Sequence, residues 1–214
     1  AAHMAAAMAV KALLPQDAEI SNNDLLQWAS EAEGHPDNVA PAVEGALTLS
    51  LQDEHGARST ALELDPSIVP GVAIPDTELS TRTARSLLPD TVPHAVAAAN
   101  GAHVGLLVHA LAGHPELLLA ATEDRLHQDQ RAPAMPASAE LISRLRSAGH
   151  AAVVSGAGPT VLILAVSARE ADAVAELIAA APTVTRDPGS RAAAVTWRVL
   201  MPGIDLTGVR VESH

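Results

Sequence analysis

The sequence contains no cysteine, which removes disulfides, thiolate catalysis and cysteine-bound metals from consideration. Phenylalanine and tyrosine are also absent, and two tryptophans are the only aromatic residues among 214. We have no physical account of the missing aromatic residues. The chain also lacks the HExxH spacing of zinc hydrolases and the GxSxG spacing of serine hydrolases. These absences exclude several common classes of enzyme.

Basic residues are scarce, with 13 Lys and Arg against 25 Asp and Glu, a formal net charge of −12 and no basic cluster. Nucleic acids and anionic membrane surfaces need a concentrated basic patch, so neither is expected as a partner. No apolar run approaches the roughly 18 residues of a membrane helix. The first residues do not follow the order of a signal peptide. The sequence therefore predicts a cytoplasmic location.

The hydrophobic content of 48% and the length suit one large domain or two small ones. Leu47, Leu49 and Leu51 alternate with polar residues, which predicts a half-buried strand leading through a turn at residues 54–56 into a second strand. Further strands are predicted at residues 68–74, 151–154, 160–166, 192–200 and 209–211. Helices are predicted at residues 1–14, 94–112, 115–127, 137–148 and 168–181. This order, with antiparallel hairpins, predicts an α+β sandwich.

The most reactive stretch follows a short predicted helix. Ser21 and Asp24 have the spacing of a capping box, which predicts the start of this helix, and Gly34 predicts its end. Pro36 disfavours helical geometry at His35. A turn is therefore predicted to present an imidazole, a carboxylate and an amide within four residues, before a new helix begins near residue 39.

The chemistry of this turn suits a small polar ligand. Glu31 and Glu33 can offer a carboxylate oxygen to Mg²⁺, which usually takes one or two protein carboxylates plus water and phosphate. His35 and Asn38 can hydrogen-bond a carboxylate or a hydroxyl, and Asp37 can orient a donor or accept a proton. A second interpretation is a polar turn between helices, whose side chains satisfy nearby backbone groups.

Two other segments carry candidate binding residues. A helix predicted from residue 78 onward places Thr81 and Arg85 one turn apart on one face, where both can reach one anion. Surface exposure to solvent is the alternative for a single arginine. Ser155, Gly156 and Gly158 lie in a glycine loop after a predicted strand. Such a loop is a weak phosphate signal, because glycines serve tight turns as often as anion sites.

Together these motifs resemble a known family. Residues 33–42, Glu-Gly-His-Pro-Asp-Asn-Val-Ala-Pro-Ala, resemble the signature of the GHMP small-molecule kinases, in the form carried by the members that phosphorylate homoserine. Residues 154–160 resemble the glycine-rich third motif of that family, and residues 80–85 and 130–136 also match in the same order. The resemblance implies ATP-dependent phosphorylation of the hydroxyl of L-homoserine, a step in threonine biosynthesis.

The resemblance also implies roles for individual residues. Four side chains would hold L-homoserine: His35, Thr81, Arg85 and Arg131. Asn38 would position the hydroxyl, while Asp37 would orient the site and is a weaker candidate for a catalytic base. Mg²⁺ would be ligated by Glu31 or Glu33, a choice of register in which we favour Glu31. Ser155, Gly156 and Gly158 would border the phosphates of ATP.

For the domains, the resemblance implies that residues 1–65 form the rear part of the ATP-binding N-terminal lobe. Residues 66–214 would form a ferredoxin-like α/β sandwich, the C-terminal domain, and a homodimer is expected. The phosphate loop of the family is not in this sequence, so the chain is expected to correspond to the C-terminal two-thirds of the enzyme.

Two other hypotheses remain open. In one, the chain is a catalytically inactive, truncated or degenerate amino-acid-binding fragment of this fold. In the other it is a GHMP kinase for mevalonate or a sugar, which is disfavoured because paired arginines suit an amino-acid carboxylate.

Overall fold

The computed structural model describes residues 20–180 and 195–210. Their contacts divide the chain into two compact units. Among the described residues, the first unit contains residues 20–64 and 204–210, and the second contains residues 65–180 and 195–203. The helix predicted at residues 1–14 lies outside the described residues. So do residue 181 of the helix predicted at 168–181, residues 192–194 of the strand predicted at 192–200, and residue 211 of the strand predicted at 209–211.

The first unit is built from two helices followed by a hairpin. Its elements are α1 (Asn22–Glu33), α2 (Val39–Glu44), β1 (Leu47–Asp53) and β2 (Gly56–Leu62). The predicted capping box is confirmed, because Ser21 Oγ accepts the Asp24 amide at 3.2 Å and Asp24 Oδ2 accepts the Ser21 amide at 2.8 Å. The hairpin is confirmed as well, with Leu47 opposite Leu62 in an antiparallel pair.

A small apolar core joins these elements. Its buried residues come from α1, α2 and β2: Leu26, Ala29, Val39, Ala40, Val43 and Ala57. Gln27 fixes α1 to β2 through two hydrogen bonds, accepting the Ala57 amide at 2.9 Å and donating to the Ala57 carbonyl at 2.5 Å. The side chain of one glutamine thereby satisfies both backbone groups of a buried strand residue.

Residues 204–210, which we call the C-terminal strap, return to this first unit. The Ala46 amide donates to the Asp205 carbonyl at 2.6 Å, and the Val209 amide donates to the Ala42 carbonyl at 2.9 Å. The strand predicted at residues 209–211 is wrong for its described residues, 209 and 210. Val209 bonds to a carbonyl in the last turn of α2, and such a bond does not extend into a strand ladder.

Two glycines allow the strap to approach α2 closely. Gly45 and Gly208 have φ values of 78° and 66°, which favour glycine. A Cβ atom on Gly208 would lie 2.4 Å from the carbonyl oxygen of Val43, and one on Gly45 would lie 2.4 Å from the Gly208 amide nitrogen. Two backbones therefore touch at a point where no larger side chain fits.

The second unit is a four-stranded sheet covered by helices. The strands β3 (Val69–Pro75), β4 (Ala151–Val154), β5 (Val161–Ala165) and β6 (Trp197–Leu200) lie in the order β4-β5-β3-β6, and all neighbours are antiparallel. The helices are α3 (Thr81–Ser86), α4 (His94–Leu111), α5 (Leu118–Ala121), α6 (Gln128–Arg131), α7 (Pro136–Ser147) and α8 (Ala168–Ala179). Short 3₁₀ turns occupy Pro115–Leu117 and Ala132–Ala134.

The core of this unit lies between the sheet and two helices. Leu141, Ile142 and Leu145 of α7 and Val174 and Ile178 of α8 pack against the sheet. The sheet contributes four buried residues: Ala73, Ala152, Val161 and Ile163. The strands flank these two helices in the chain order β3, α7, β4, β5, α8, β6, which is the β-α-β-β-α-β order of a ferredoxin-like sandwich. The predicted α+β fold class is confirmed.

The single helix predicted over residues 115–127 is wrong. The structure has a 3₁₀ turn, the short helix α5 and then an irregular segment. Asp124 Oδ1 accepts the amides of Leu126 and His127 at 2.8 and 2.9 Å, and Arg146 donates to the Leu119 carbonyl at 2.6 Å. These side-chain hydrogen bonds replace the backbone bonds that would continue the helix.

Across residues 20–180 and 195–210, no helix combines the length and apolar character needed to cross a membrane.

Candidate functional site

The signature turn, residues 34–38 between α1 and α2, is closed by main-chain hydrogen bonds. Gly34 ends α1 with φ 89°, and its amide donates to the Ser30 carbonyl at 2.8 Å, as the sequence predicts. The Pro36 carbonyl then accepts the amides of Val39 and Ala40 at 3.0 and 2.8 Å. Because the turn closes through main-chain hydrogen bonds, its polar side chains are not needed to cap α2.

The side chains of the turn are arranged accordingly. Asn38 is exposed and stands at the N-cap of α2, but its amide makes no capping hydrogen bond. The Nδ1 atom of His35 is hidden from solvent and lies against the carboxylate of Asp37, although it makes no hydrogen bond of acceptable geometry. The Asp37 side chain is 71% exposed. The turn thus holds one half-buried imidazole beside a carboxylate and leaves an amide open to a ligand.

Glu31 and Glu33 lie in the last turn of α1, and both are exposed. Residues two apart on a helix do not face each other, so the two carboxylates point in different directions. Within the described ranges, no group of three or more His, Asp or Glu side chains could hold a metal ion. The residues present therefore fit Mg²⁺ only as a site with one protein carboxylate, completed by phosphate and water.

Thr81 and Arg85 lie on the short helix α3, and both are exposed. The N-cap of this helix is Ser80, whose Oγ accepts the Thr83 amide at 3.1 Å, so Thr81 is not used for capping. The i, i+4 spacing puts Thr81 and Arg85 on one face, as predicted. A hydroxyl and a guanidinium group are therefore presented side by side.

Arg131 is buried, with 9% of its surface exposed, and it contacts the glycine loop. Its Nη1 donates to the Gly156 carbonyl at 3.0 Å. Its Nε is buried and has no hydrogen-bond partner among the described residues. A buried donor without an acceptor is costly, by about 1–3 kcal/mol. The structure therefore brings together two predicted residues of the second unit, Arg131 and Gly156, and leaves one guanidinium donor unused.

The glycine loop connects β4 and β5. The Ser155 amide donates to the Thr160 carbonyl at 2.9 Å, and the Gly158 amide donates to the Ser155 carbonyl at 3.0 Å. In the described part of the chain, the amides of Gly156 and Ala157 donate no hydrogen bond. Two adjacent free N–H groups are the usual form of a backbone anion site. Sequence reasoning missed Ala157, although it lies between the predicted glycines.

A separate cavity of about 310 Å³ with a mixed polar and apolar lining lies in the second unit. Its lining includes Asp124, Gln128, Met135, Arg146 and Val154, and contains none of the predicted site residues. Arg146 already donates to the hydroxyl of Thr122 at 2.8 Å and to the carbonyl of Leu119 at 2.6 Å. The second arginine of the lining, Arg125, is largely exposed and lies 3.5 Å from the carboxylate of Glu123.

Comparison with known proteins identifies the class to which this fold and these motifs belong. Residues 104–182, which include α7, β4, the glycine loop and β5, match the family described as GHMP kinases C terminal. Over these residues the chain carries the C-terminal domain of the GHMP kinases. This match confirms the family resemblance that the glycine loop indicates, and the signature turn lies outside the matched residues.

The particular relatives are homoserine kinases. The homoserine kinase of Clavibacter michiganensis subsp. michiganensis is 45% identical over 212 residues, which is 99% of this chain and 64% of that enzyme. Those of Streptomyces avermitilis and Streptomyces coelicolor are 55% and 51% identical over 161 and 195 residues, covering 75% and 91% of this chain. The chain spans 52–64% of the length of these three curated relatives.

Solved structures show the same fold. The crystal structure of homoserine kinase from Cytophaga hutchinsonii matches with a TM-score of 0.79 at 22% identity, covering 96% of this chain and 64% of that chain. The crystal structure of L. major mevalonate kinase matches with a TM-score of 0.54 at 15% identity, covering 86% of this chain and 60% of that one. At these identities, both matches show a similarity of fold alone.

Proposed function

We propose that this chain serves in a homoserine kinase, which transfers a phosphoryl group from ATP to the side-chain hydroxyl of L-homoserine and forms O-phospho-L-homoserine for threonine biosynthesis. The observation that carries the proposal is 45% identity to a homoserine kinase over 99% of this chain. The signature turn and the glycine loop supply polar groups that suit this chemistry.

Four side chains are proposed to bind the amino acid: His35, Thr81, Arg85 and Arg131. Arg85 is exposed and shares a helix face with Thr81, so both can donate to one carboxylate. The buried Nε of Arg131 lacks an acceptor, which a substrate carboxylate would supply. His35 would contribute its imidazole to a polar group of the substrate. These properties support the assignment and are independent of the relatives.

Asn38 is proposed to position the hydroxyl that is phosphorylated, since its amide is exposed and does not cap α2. Asp37 is proposed to orient His35, which lies against its carboxylate. Because Asp37 is largely exposed, it is the weaker candidate for a base. In phosphoryl transfer, positioning and charge neutralisation carry most of the catalysis, so a group that aims the nucleophile is sufficient.

Mg·ATP, when bound, supplies the phosphoryl group and a positive charge on its phosphates. Glu31 is the favoured metal ligand over Glu33, and the geometry of α1 fits one of them rather than both. Ser155, Gly156 and Gly158 are proposed to border the phosphates, where the free amide of Gly156 suits an anionic oxygen. A cytoplasmic location and a homodimer complete the proposal.

The test is calorimetric titration of this polypeptide with L-homoserine and, separately, with Mg·ATP, followed by an assay for ADP release. Homoserine binding with turnover supports the kinase. Homoserine binding without turnover supports the second hypothesis, an inactive amino-acid-binding fragment. Binding of neither ligand would refute both.

A pair of arginine variants makes the test specific. Arg85→Ala should weaken homoserine binding by about 10- to 100-fold, because hydrogen bonds to charged groups contribute about 1.5–3 kcal/mol. The affinity for Mg·ATP should change little. Arg82 is exposed on the same helix, and Arg82→Ala serves as the matched control. Equal effects of the two substitutions would remove Arg85 from the proposed site.

A further inference from the structure

The glycine loop is held at three points by side chains from one segment, residues 128–138. Gln128 Oε1 accepts the Val154 amide at 2.6 Å, where the chain enters the loop. Arg131 donates to the Gly156 carbonyl at 3.0 Å, near the tip. Ser138 Oγ donates to the Pro159 carbonyl at 2.6 Å, where the chain leaves the loop. Entry, tip and exit are thus all bonded to the same stretch of chain.

The contacts of the segment leave the loop little freedom. Ser138 is 1% exposed, so its hydroxyl cannot exchange the Pro159 carbonyl for water. Met135 packs beneath the loop, and a Cβ atom on Gly158 would lie 2.6 Å from its sulfur atom. All three hydrogen bonds are partly buried, which limits their replacement by bonds to water.

Gln128 stands between the cavity and the loop and is only partly buried. It lines the 310 Å³ cavity, which gives its side chain room to move away from the loop. It nevertheless accepts the Val154 amide at 2.6 Å. This hydrogen bond holds the side chain against the loop, beside a cavity into which it would otherwise be able to turn.

We infer that Gln128 and Ser138 are positioning residues of the glycine loop, which act together with Arg131 and aim the free amides of Gly156 and Ala157 at an anionic oxygen. The identity of that oxygen rests on the proposed function, in which it belongs to a phosphate of ATP. The positioning itself depends only on the contacts within the second unit.

The first experiment measures amide hydrogen exchange by NMR in the full chain. The reporters are the Ser155 and Gly158 amides, whose hydrogen bonds close the loop, and the reference is Ile163 in β5. Gln128→Met and Ser138→Ala should each speed exchange at both reporters about five- to tenfold, because a net hydrogen bond is worth about 1 kcal/mol. Exchange at Ile163 should change less, since the sheet core is intact.

Three further variants separate positioning from general stability. Gln128→Glu keeps an acceptor and should restore slow exchange at the reporters. Gln130 lies on the same helix as Gln128, and Ser147 lies at the end of α7; both residues are exposed. Gln130→Met and Ser147→Ala should therefore leave the exchange rates of the reporter amides unchanged. Equal acceleration at the reporters and at Ile163, or no acceleration in either test variant, would overturn the inference.

The second experiment connects the loop to its ligand. In calorimetric titrations, Gln128→Met and Ser138→Ala should weaken Mg·ATP binding by about tenfold, because the Gly156 and Ala157 amides are no longer held in position. The affinity for L-homoserine should stay within about twofold. If exchange at the reporter amides were faster in these variants and the Mg·ATP affinity were unchanged, the role of Gln128 and Ser138 in ligand binding would be refuted. If the unsubstituted chain bound no Mg·ATP, the nucleotide role in the proposed function would fail, while the exchange data would still decide the positioning.

Discussion

Replacing Gly208 with alanine should detach the C-terminal strap from the first unit. The new Cβ atom would lie 2.4 Å from the Val43 carbonyl oxygen and 2.9 Å from the Gly45 amide nitrogen. Both contacts are with backbone atoms, so no side chain can rotate to relieve them. The φ value of 66° adds a further cost, because alanine is disfavoured in this region by about 1–2 kcal/mol.

The magnitude follows from two contributions that act while the strap stays in place. Overlap in a packed site costs about 1–3 kcal/mol, and the backbone strain adds about 1–2 kcal/mol. Their sum is about 2–5 kcal/mol. The observed loss is limited by the free energy that holds the strap, because the strap can detach and escape the strain.

Gly203 provides the matched control. It has a similar φ of 71°, and a Cβ atom there would have no heavy atom within 4 Å. Gly203→Ala therefore carries only the backbone strain of about 1–2 kcal/mol. The difference between the variants isolates the contact with α2.

The assay is amide exchange at Ala46 and Val209, whose N–H groups form the two strap hydrogen bonds. In Gly208→Ala both amides should exchange about 100-fold faster or more, since 1.4 kcal/mol corresponds to a factor of ten. In Gly203→Ala their exchange should be much closer to that of the unsubstituted chain. Equal exchange in the two variants would refute the steric argument and would show that the strap shifts without cost.

Two further predictions concern the strap in acid and the core of the second unit. The Thr207 amide, and then its hydroxyl, lower the pKa of Asp205, so the strap should loosen as pH falls below about 4 and on through the lowered pKa. Thr207→Val should raise that pKa in a carbon-detected NMR titration, and an unchanged pKa would contradict the hydroxyl contribution. Leu145→Ala removes a fully buried side chain and should lower the free energy of unfolding in urea by about 2–5 kcal/mol. Leu177→Ala, at an exposed position of α8, should cost less than half as much, and equal losses would contradict this account of the core.

The elements that could be predicted from the sequence depend on neighbouring residues. Ser21 and Asp24 define the start of α1 within four residues, and Gly34 ends it through its own backbone conformation. The hairpin likewise follows from local alternation and a tight turn. These signals need no knowledge of the rest of the chain.

The features that were missed depend on residues far apart in the chain. The break after α5 needs Arg146, which binds the Leu119 carbonyl from a later helix. The position of the strap depends on the close contact between Gly208 and Gly45, and no local sequence pattern predicts that contact. In the candidate site, the type of each residue could be predicted, but the bond from Arg131 to the Gly156 carbonyl could not, because it joins two separate motifs.

The strap also has a consequence for the order of folding during synthesis. Ala46 and its partner Asp205 are about 160 residues apart, so their hydrogen bond closes one of the long loops of the chain. A chain that emerges from the ribosome displays residues 20–64 long before residues 204–210 are made. The first unit therefore gains its last hydrogen bonds only after the second unit has been translated. A nascent chain arrested before residue 204 would leave the Ala42 carbonyl and the Ala46 amide without these partners, and a chaperone or protease could distinguish it from the finished protein.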